Sequence, residues 1–198
     1  MKIRFPYHRV LIVGCGGAGK STLAMKMGKR FGLPVVHLDK LWWLPDWQNR
    51  TEQEFDEMLA SELANDDWII EGNYRRTFGT RLKYADFCIF LDYDTELCLQ
   101  SVYDRVEKYK GVARPDMTDG CIEQVDDEFK NWIITFKENV CPSMLEELQN
   151  GSTPYIVFQT RDATAHWLDG FKKRLTDKIG QNRVIYISME QRTIKISN

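Results

Sequence analysis

The feature that most constrains this chain is a glycine-rich octapeptide, residues 14–21 (GCGGAGKS), which lies between an apolar run and a segment with helical spacing. The apolar run, residues 10–13, is typical of a buried strand, and Leu23, Met27 and Phe31 follow at the spacing of one helix face. The octapeptide fits the pattern G-x-x-x-x-G-K-[ST], in which glycines let consecutive backbone N–H groups turn toward a phosphate. Its position between strand and helix predicts a phosphate-binding loop in an α/β protein.

The residue types of this loop suit a nucleoside triphosphate bound together with Mg²⁺. The helix after the loop points its positive end at the anion, and the Lys20 ammonium can reach the β- and γ-phosphates. The Ser21 hydroxyl can ligate Mg²⁺. The predicted nucleotide-binding residues of the loop are Gly14, Gly16, Gly17, Ala18, Gly19, Lys20, Ser21 and Thr22.

Length, charge and cysteine pattern exclude several other classes of protein. The 198 residues favour one domain over residues 1–198, and a net charge of -2 gives no overall attraction to nucleic acid or anionic lipid. No run of about 18 apolar residues is present, so we expect no membrane span. The five cysteines are odd in number and lack a C-x-x-C pair, which argues against a disulfide framework or a zinc site and predicts a cytoplasmic protein.

Short β-rich runs alternate with segments of helical spacing, which predicts a parallel sheet with helices on both faces. The predicted strands are residues 9–14, 34–38, 68–71, 87–92 and 154–158. The predicted helices are about residues 51–64, 98–109, 125–140 and 168–179. The first helix opens with a capping box at Thr51 and Glu54. The tail, residues 180–198, has the alternation of one or two further strands, and its position in the sheet is not predicted.

Two observations favour a small kinase among the proteins that contain such a loop. The chain lacks the N-K-x-D motif through which many GTPases recognise guanine. It is also shorter than a typical motor ATPase, which carries additional domains. A small phosphotransferase therefore fits the sequence better than either of these classes.

Further motifs follow the predicted second, third and fourth strands. They are residues 37–47 (HLDKLWWLPDW), residues 68–74 (WIIEGNY), and Arg81 with residues 85–86 and 90–92. Together with the glycine-rich loop, these segments resemble the adenylate-kinase-related family of DNA topology modulation (FlaR-like) proteins over about residues 9–170. The resemblance implies a P-loop kinase fold with strand order 2-3-1-4-5, ATP as the nucleotide, and a small lid, which we expect at about residues 105–122.

The chain departs from the pattern of this family at two positions. Glu71 stands where the family usually has aspartate before Gly-Asn-Tyr, and Asp94 stands where a proline often follows the fourth strand. Because a glutamate has a longer side chain, it can still hold a water molecule on Mg²⁺. The first departure therefore affects the expected geometry of the metal site and leaves the predicted class unchanged.

Acidic residues at the carboxyl ends of the predicted strands are the candidate base and metal groups. Asp39 follows the second strand, at the edge where open α/β sheets bind ligands, and could accept the proton of an acceptor hydroxyl. The alternative is that Asp39 only caps the next turn. Glu71 ends the third strand, where it would orient water on Mg²⁺. The predicted metal-binding residues are therefore Ser21 and Glu71.

Arginines are expected at the site because phosphoryl transfer builds negative charge on oxygen atoms. The resemblance implies that Arg75 and Arg81 hold an anionic group of the acceptor, that Arg105 and Arg114 lie in the lid, and that Arg161 contacts adenine. The alternative for each is a solvated surface arginine. The predicted catalytic residues are Lys20, Asp39, Arg75, Arg81, Arg105 and Arg114, and Arg161 completes the predicted nucleotide-binding set.

Three tryptophans close to Asp39 are candidates for the wall of an acceptor pocket. Trp42, Trp43 and Trp47 could stack on a base or another flat ring, or they could form a small hydrophobic cluster. The main prediction is thus a kinase that transfers the γ-phosphoryl group of ATP to a small acceptor, such as a nucleoside or a nucleotide.

The alternative hypothesis is a nucleotide-regulated DNA-binding protein, which the name of the resembling family suggests. A local basic patch formed by Arg75, Arg76, Arg81 and Lys83 lies near aromatic residues and could follow a nucleic acid strand. The slightly acidic overall charge argues against it.

Overall fold

A parallel sheet forms the centre of the molecule in the computed structural model, which describes residues 5–171, 185–187 and 195–196. The strands are β1 (Arg9–Gly14), β2 (Val35–His37), β3 (Trp68–Glu71), β4 (Phe87–Leu91), β5 (Tyr155–Phe158), β6 (Ile185–Ile187) and β7 (Lys195–Ile196). The first five are parallel and adopt the order 2-3-1-4-5, which confirms the predicted fold class. In the tail, β6 pairs parallel with β5, and β7 pairs antiparallel with β6.

Helices pack against the sheet. They are α1 (Lys20–Phe31), α2 (Leu38–Trp42), α3 (Glu52–Leu63), α4 (Arg75–Tyr84), α5 (Thr95–Lys108), α6 (Asp127–Asn139), α7 (Cys141–Asn150) and α8 (Arg161–Gly170). The predicted capping box opens α3, where the Thr51 hydroxyl accepts from the Glu54 N–H and the Glu54 carboxylate accepts from the Thr51 N–H. None of the described helices is both long and apolar enough to cross a membrane.

The structure differs from the predicted helices at three places. The helix predicted to end near residue 140 is followed at once by α7, because Pro142 lies in the first turn of α7, where its missing N–H is not needed. The last predicted helix begins at Arg161 rather than at residue 168, because the Thr160 hydroxyl caps it by accepting from the Ala163 N–H. The remainder of that predicted helix, after residue 171, lies outside the described residues. Helix α4 was not predicted.

The core surrounds the central strand. Strand β1 lies between β3 and β4, and residues 10–13 are fully buried. Parallel strands place their carboxyl ends at one edge of the sheet, where side chains from several strands meet. That edge here contains His37, Glu71 and the loop that follows Gly14.

Candidate functional site

A cleft of about 1380 Å³ opens at the carboxyl edge of the sheet. Among the segments that line it are residues 16–22 of the glycine-rich loop, residues 71–74 after β3, residues 114–117 between α5 and α6, and Asp39, Trp42, Trp43, Trp47 and Arg161. The cleft therefore joins the predicted nucleotide site and the predicted acceptor site in one space.

The glycine-rich loop is folded as a compact cradle in front of α1. Gly17 has a φ of 78°, and a Cβ atom there would lie 2.1 Å from the carbonyl oxygen of Cys98, so only glycine fits. The Lys20 Nζ atom donates to the carbonyl oxygens of Gly14 and Cys15, both at 3.0 Å. The hydrogen bond with Cys98 and burial raise the pKa of Cys15, which therefore remains a thiol.

The loop is held from the side by Asn73. The Asn73 side chain accepts from the Gly14 N–H at 2.9 Å and donates to the Gly14 carbonyl oxygen at 2.6 Å. Gly72, with a φ of 130°, and Tyr74, with a φ of 36°, complete a sharp turn between β3 and α4. This turn gives the Gly-Asn-Tyr segment a definite structural role, which the sequence had not revealed.

Arg81 holds the same turn from behind. It is fully buried, and its guanidinium donates to the carbonyl oxygens of Gly72 at 3.0 Å, of Tyr74 at 3.1 Å, and of Asn73. Burial lowers the pKa of Arg81 to about 10, so the side chain remains a cation near neutral pH. Arg81 therefore does not line the cleft, and the predicted contact with the acceptor is replaced by a structural role.

Asp39 lies in the first turn of α2 and faces the cleft, with 40% of its side chain exposed. It accepts a hydrogen bond of 2.9 Å from the Tyr74 hydroxyl. Although part of the side chain is exposed, Asp39 lies inside the cleft where surrounding protein atoms displace water, and this desolvation raises its pKa; the nearby Glu71 carboxylate raises it further. Burial and the neighbouring Asp39 raise the pKa of Tyr74, so its hydroxyl stays protonated and keeps donating. The arrangement leaves a carboxylate with an elevated pKa beside the phosphate-binding loop.

A histidine and two carboxylates form a candidate metal site next to Ser21. One ligand atom from each of His37, Glu71 and Asp116 lies within 4.8 Å of the other two. His37 Nδ1 and Glu71 Oε1 are 2.7 Å apart, and both side chains are buried. Burial acts to raise the pKa of Asp116, but the Arg114 guanidinium and a hydrogen bond from Ser21 together hold it below its ordinary value. Hydroxyl and carboxylate oxygens suit Mg²⁺.

The predicted lid overlaps the connection between α5 and α6, which we call the lid segment, residues 109–126. Arg105 belongs to the last turn of α5, and Arg114 lies in the lid segment. The buried Glu123 carboxylate joins them, since it lies 2.7 Å from Arg105 Nη2 and 2.5 Å from Arg114 Nε. Burial and the neighbouring Arg114 cation lower the pKa of Arg105. Both arginines line the cleft as expected.

The lid segment also contacts the turn that contains Trp43 and Trp47. Thr118 donates its hydroxyl to the Trp43 carbonyl oxygen at 2.7 Å, and Trp47 donates its indole N–H to the Ile122 carbonyl oxygen at 2.9 Å. Trp42 packs edge-on against Phe55. The tryptophans therefore serve both predicted purposes, because they line the cleft and also pack against neighbouring structure.

The two remaining predicted arginines, Arg161 and Arg75, lie in different places. Arg161, at the start of α8, lines the cleft, and its guanidinium donates to the Ser101 hydroxyl and to the Gly17 carbonyl oxygen. Arg75 instead faces α7, where it lies 2.6 Å from Glu147 and 3.2 Å from the Ser143 hydroxyl. It does not line the cleft, so the structure does not bring it to the other predicted catalytic residues.

Sequence reasoning missed three side chains of the site. Asp116 and Glu123 lie in the lid segment, and their charges next to the predicted arginines were the one available signal. His37 was given no role, because nothing in its spacing distinguishes a metal ligand from an ordinary buried histidine. The place of each of these three side chains in the site depends on contacts between segments that are distant in sequence.

Comparison with known proteins supports the fold. No protein family model and no curated protein sequence matches the chain. Among solved structures, a shikimate kinase from Acinetobacter baumannii in complex with shikimate is 16% identical with a TM-score of 0.54, over 84% of this chain and 94% of that one. A shikimate kinase from Bacteroides thetaiotaomicron is 17% identical with a TM-score of 0.52, over 85% of this chain and 99% of that one. The chain thus has the P-loop kinase fold.

Proposed function

We propose that this chain is a P-loop kinase that transfers the γ-phosphoryl group of ATP to the hydroxyl group of a small molecule. The observation that carries the proposal is that the glycine-rich loop, the candidate metal site and Asp39 all border one cleft. That cleft is large enough for a nucleotide and an acceptor together. The similarity in fold to kinases that act on small molecules supports the same proposal.

The residues present fit ATP and Mg²⁺. Residues 16–22 supply backbone N–H groups and the N-terminus of α1 to the phosphates, and Arg161 would lie beside the nucleotide. Ser21, Glu71 and Asp116 would hold Mg²⁺ directly or through water. When bound, Mg²⁺ would neutralise part of the charge on the β- and γ-phosphates.

Catalysis in this proposal consists of positioning and charge neutralisation. Asp39 would hold the acceptor hydroxyl and accept its proton, while the Tyr74 hydroxyl keeps the carboxylate oriented. Lys20, Arg105 and Arg114 would neutralise charge on the transferring group, and the lid segment would exclude water. The test is release of ADP from ATP and Mg²⁺ that depends on an added acceptor.

Removing a candidate metal ligand is expected to weaken the use of Mg²⁺. The substitutions Glu71→Gln and Asp116→Asn each keep the size of the side chain and remove its charge. We expect each to raise the Mg²⁺ concentration for half-maximal activity about 10-fold or more, measured by ADP release over a Mg²⁺ titration. Asp119→Asn is the control, because this exposed lid residue does not line the cleft. Unchanged Mg²⁺ dependence in both ligand variants would contradict the assignment.

The raised pKa of Asp39 gives a prediction for the pH profile. Because Asp39 must be ionised to accept a proton, the rate should fall as the pH falls through its pKa. That acid limb should lie above the value of about 3.9 for an ordinary aspartate, since burial and Glu71 favour the neutral acid. Asp39→Asn should lower kcat about 100-fold or more and abolish that limb. An acid limb that persists unchanged in the variant would assign it to another group.

The DNA-binding alternative gains no support from the side chains that suggested it. Arg76 forms a two-pronged ion pair with Asp56 at 2.8 Å, and Arg81 is buried. Arg75 is paired with Glu147. The charge of the patch is thus largely neutralised within the molecule.

We also propose a cytoplasmic location and a single domain over residues 1–198.

A further inference from the structure

The charge at the acceptor end of the cleft limits what can bind there, an inference that rests on the proposed kinase function. We define the acceptor end as the part lined by Asp39, Trp42, Trp43, Trp47 and Tyr74. Its charged group is the Asp39 carboxylate, and its neutral donors are the indole N–H groups of the tryptophans and the hydroxyl that Tyr74 already donates to Asp39. The rest of this wall is aromatic. An acceptor bound there must be recognised mainly by ring faces and by one carboxylate.

The cations that act on Asp39 are Arg114 and Lys20, and both are committed elsewhere. Lys20 lies in the phosphate-binding loop, where it serves the nucleotide. The Arg114 guanidinium lies 3.0 Å from Asp116, 2.5 Å from Glu123 and 3.9 Å from Asp39. Turning Arg114 toward a bound anion would leave the buried Glu123 without one of its partners, which is strongly unfavourable. Arg114 can therefore act on the transferring group from the position in which Asp116 and Glu123 hold it, but it is not free to turn and bind an acidic group of the acceptor.

The three arginines of α4 lie near the acceptor end but are engaged elsewhere. Arg75 and Arg76 line a neighbouring pocket that shares Trp42 and Tyr74 with the acceptor end, and they form ion pairs with Glu147 and Asp56. Arg81 is buried behind the turn. None of the three lines the cleft in the part of the chain that the structure describes. Among the described residues, the cations nearest the acceptor end are thus already paired with acids or with backbone carbonyl oxygens, which leaves them unsuited to hold a phosphate or carboxylate group.

The carboxylate that faces the acceptor end repels an anion. Asp39 carries a negative charge when it is ionised, whereas Asp116 is paired with Arg114 and Glu71 is hydrogen-bonded to His37. The faces of indole rings are also electron-rich, so they favour neutral flat rings or cations over anions. The negative charge of Asp39 and the faces of the indole rings therefore both favour a neutral acceptor over an anionic one.

We propose that the acceptor is an uncharged alcohol that carries a flat ring, such as a free nucleoside, rather than a nucleotide or a hydroxy acid. The ring lies against Trp43 and Trp47, and the alcohol is directed to Asp39. The acceptor oxygen forms a bond to the γ-phosphorus, the bond from that phosphorus to the β,γ-bridging oxygen breaks, ADP leaves, and the hydroxyl proton passes to the Asp39 carboxylate.

The test compares pairs of acceptors, one neutral and one anionic, that keep the same ring and the same free hydroxyl. The first set is the common nucleosides against their 3′-monophosphates, which retain the 5′-hydroxyl, and the second set is cyclic hydroxy acids against their methyl esters. Phosphorylated product is measured by mass spectrometry, with ADP release for the rates. We expect kcat/KM for the neutral member to exceed that of the charged member about 10-fold or more in each pair that reacts.

A pair of variants tests the wall itself. Trp43→Ala should raise KM for the best neutral acceptor several-fold and change kcat less, and Trp43→Phe should restore most of the affinity. Lys83→Ala is the control, since this exposed residue of α4 lines neither the cleft nor the pocket beside it and should leave the preference for neutral acceptors unchanged. An unaltered KM in Trp43→Ala would overturn the assignment of this wall.

The outcomes of the acceptor comparison are distinguishable. Equal or faster transfer to the monophosphates or free acids would overturn the inference and leave the kinase proposal in place. Transfer to no member of either set, in protein that binds ATP with Mg²⁺, would contradict the proposed function itself. Preference for the neutral members supports both.

Discussion

Lys20→Ala is expected to lower kcat for phosphoryl transfer by a factor of about 100 to 1000 while the protein stays folded. The Lys20 ammonium lies in the loop, bonded to the carbonyl oxygens of Gly14 and Cys15, and it is placed to follow the phosphates when they bind. Because that charge is needed most as negative charge develops on the transferring group, its loss should affect kcat more than KM. ADP release under saturating ATP, Mg²⁺ and acceptor measures the effect.

The matched control is Lys29→Ala, on the same helix. Lys29 is exposed in the last turn of α1 and does not line the cleft, so its loss should leave kcat within a factor of two of the parent rate, roughly the effect of a neutral surface change. Circular dichroism of both variants checks that the fold is retained. Full activity in Lys20→Ala would remove the central role given to this lysine.

Arg81→Ala is expected to have the largest effect on stability, a loss of about 3 kcal/mol or more in the free energy of unfolding. The substitution empties a buried volume and removes the donor for three backbone carbonyl oxygens at residues 72–74. Because the same turn carries Asn73, which holds Gly14, and Tyr74, which orients Asp39, activity should fall as well. Urea unfolding followed by tryptophan fluorescence measures the stability.

Arg75→Ala provides the comparison on the same helix. Its side chain is 45% exposed, and its pairing with Glu147 is of the surface kind that contributes about 1 kcal/mol or less. Equal destabilisation by the two substitutions would show that the buried contacts of Arg81 do not hold the turn.

The parts of this protein that could be predicted from sequence are those set by local pattern. The strand at residues 68–71 and the helix that opens at Thr51 lie where they were expected, because alternation of apolar runs and a capping box act over a few residues. The glycine-rich loop was predictable for the same reason. The residues that bind phosphate are consecutive in the sequence.

The directions of individual arginines were not predictable in this way. Arg75 and Arg81 lie six residues apart on α4, and yet one faces α7 and the other is buried beneath the turn. Their spacing gives the relative direction along a helix but not which neighbour each face meets. Helix α4 itself was missed, because its polar composition gives only a weak apolar stripe.

Contacts between distant segments could not be predicted from the sequence either. Asp116 meets Ser21 and Glu71, and Glu123 joins Arg105 to Arg114, only because the lid segment folds back over the edge of the sheet. Nothing in local spacing indicates which acid pairs with which base. The metal and lid networks therefore required the tertiary structure.

The most direct measurement of the central claim is isothermal titration calorimetry of the intact chain with ATP in the presence of Mg²⁺, with GTP as a second ligand. We expect saturable heat from the binding of one triphosphate per chain, and weaker binding when Mg²⁺ is withheld or when Lys20 is replaced by alanine. Folded protein that gives no binding heat with either nucleotide, at temperatures far enough apart to exclude a zero enthalpy, would contradict it.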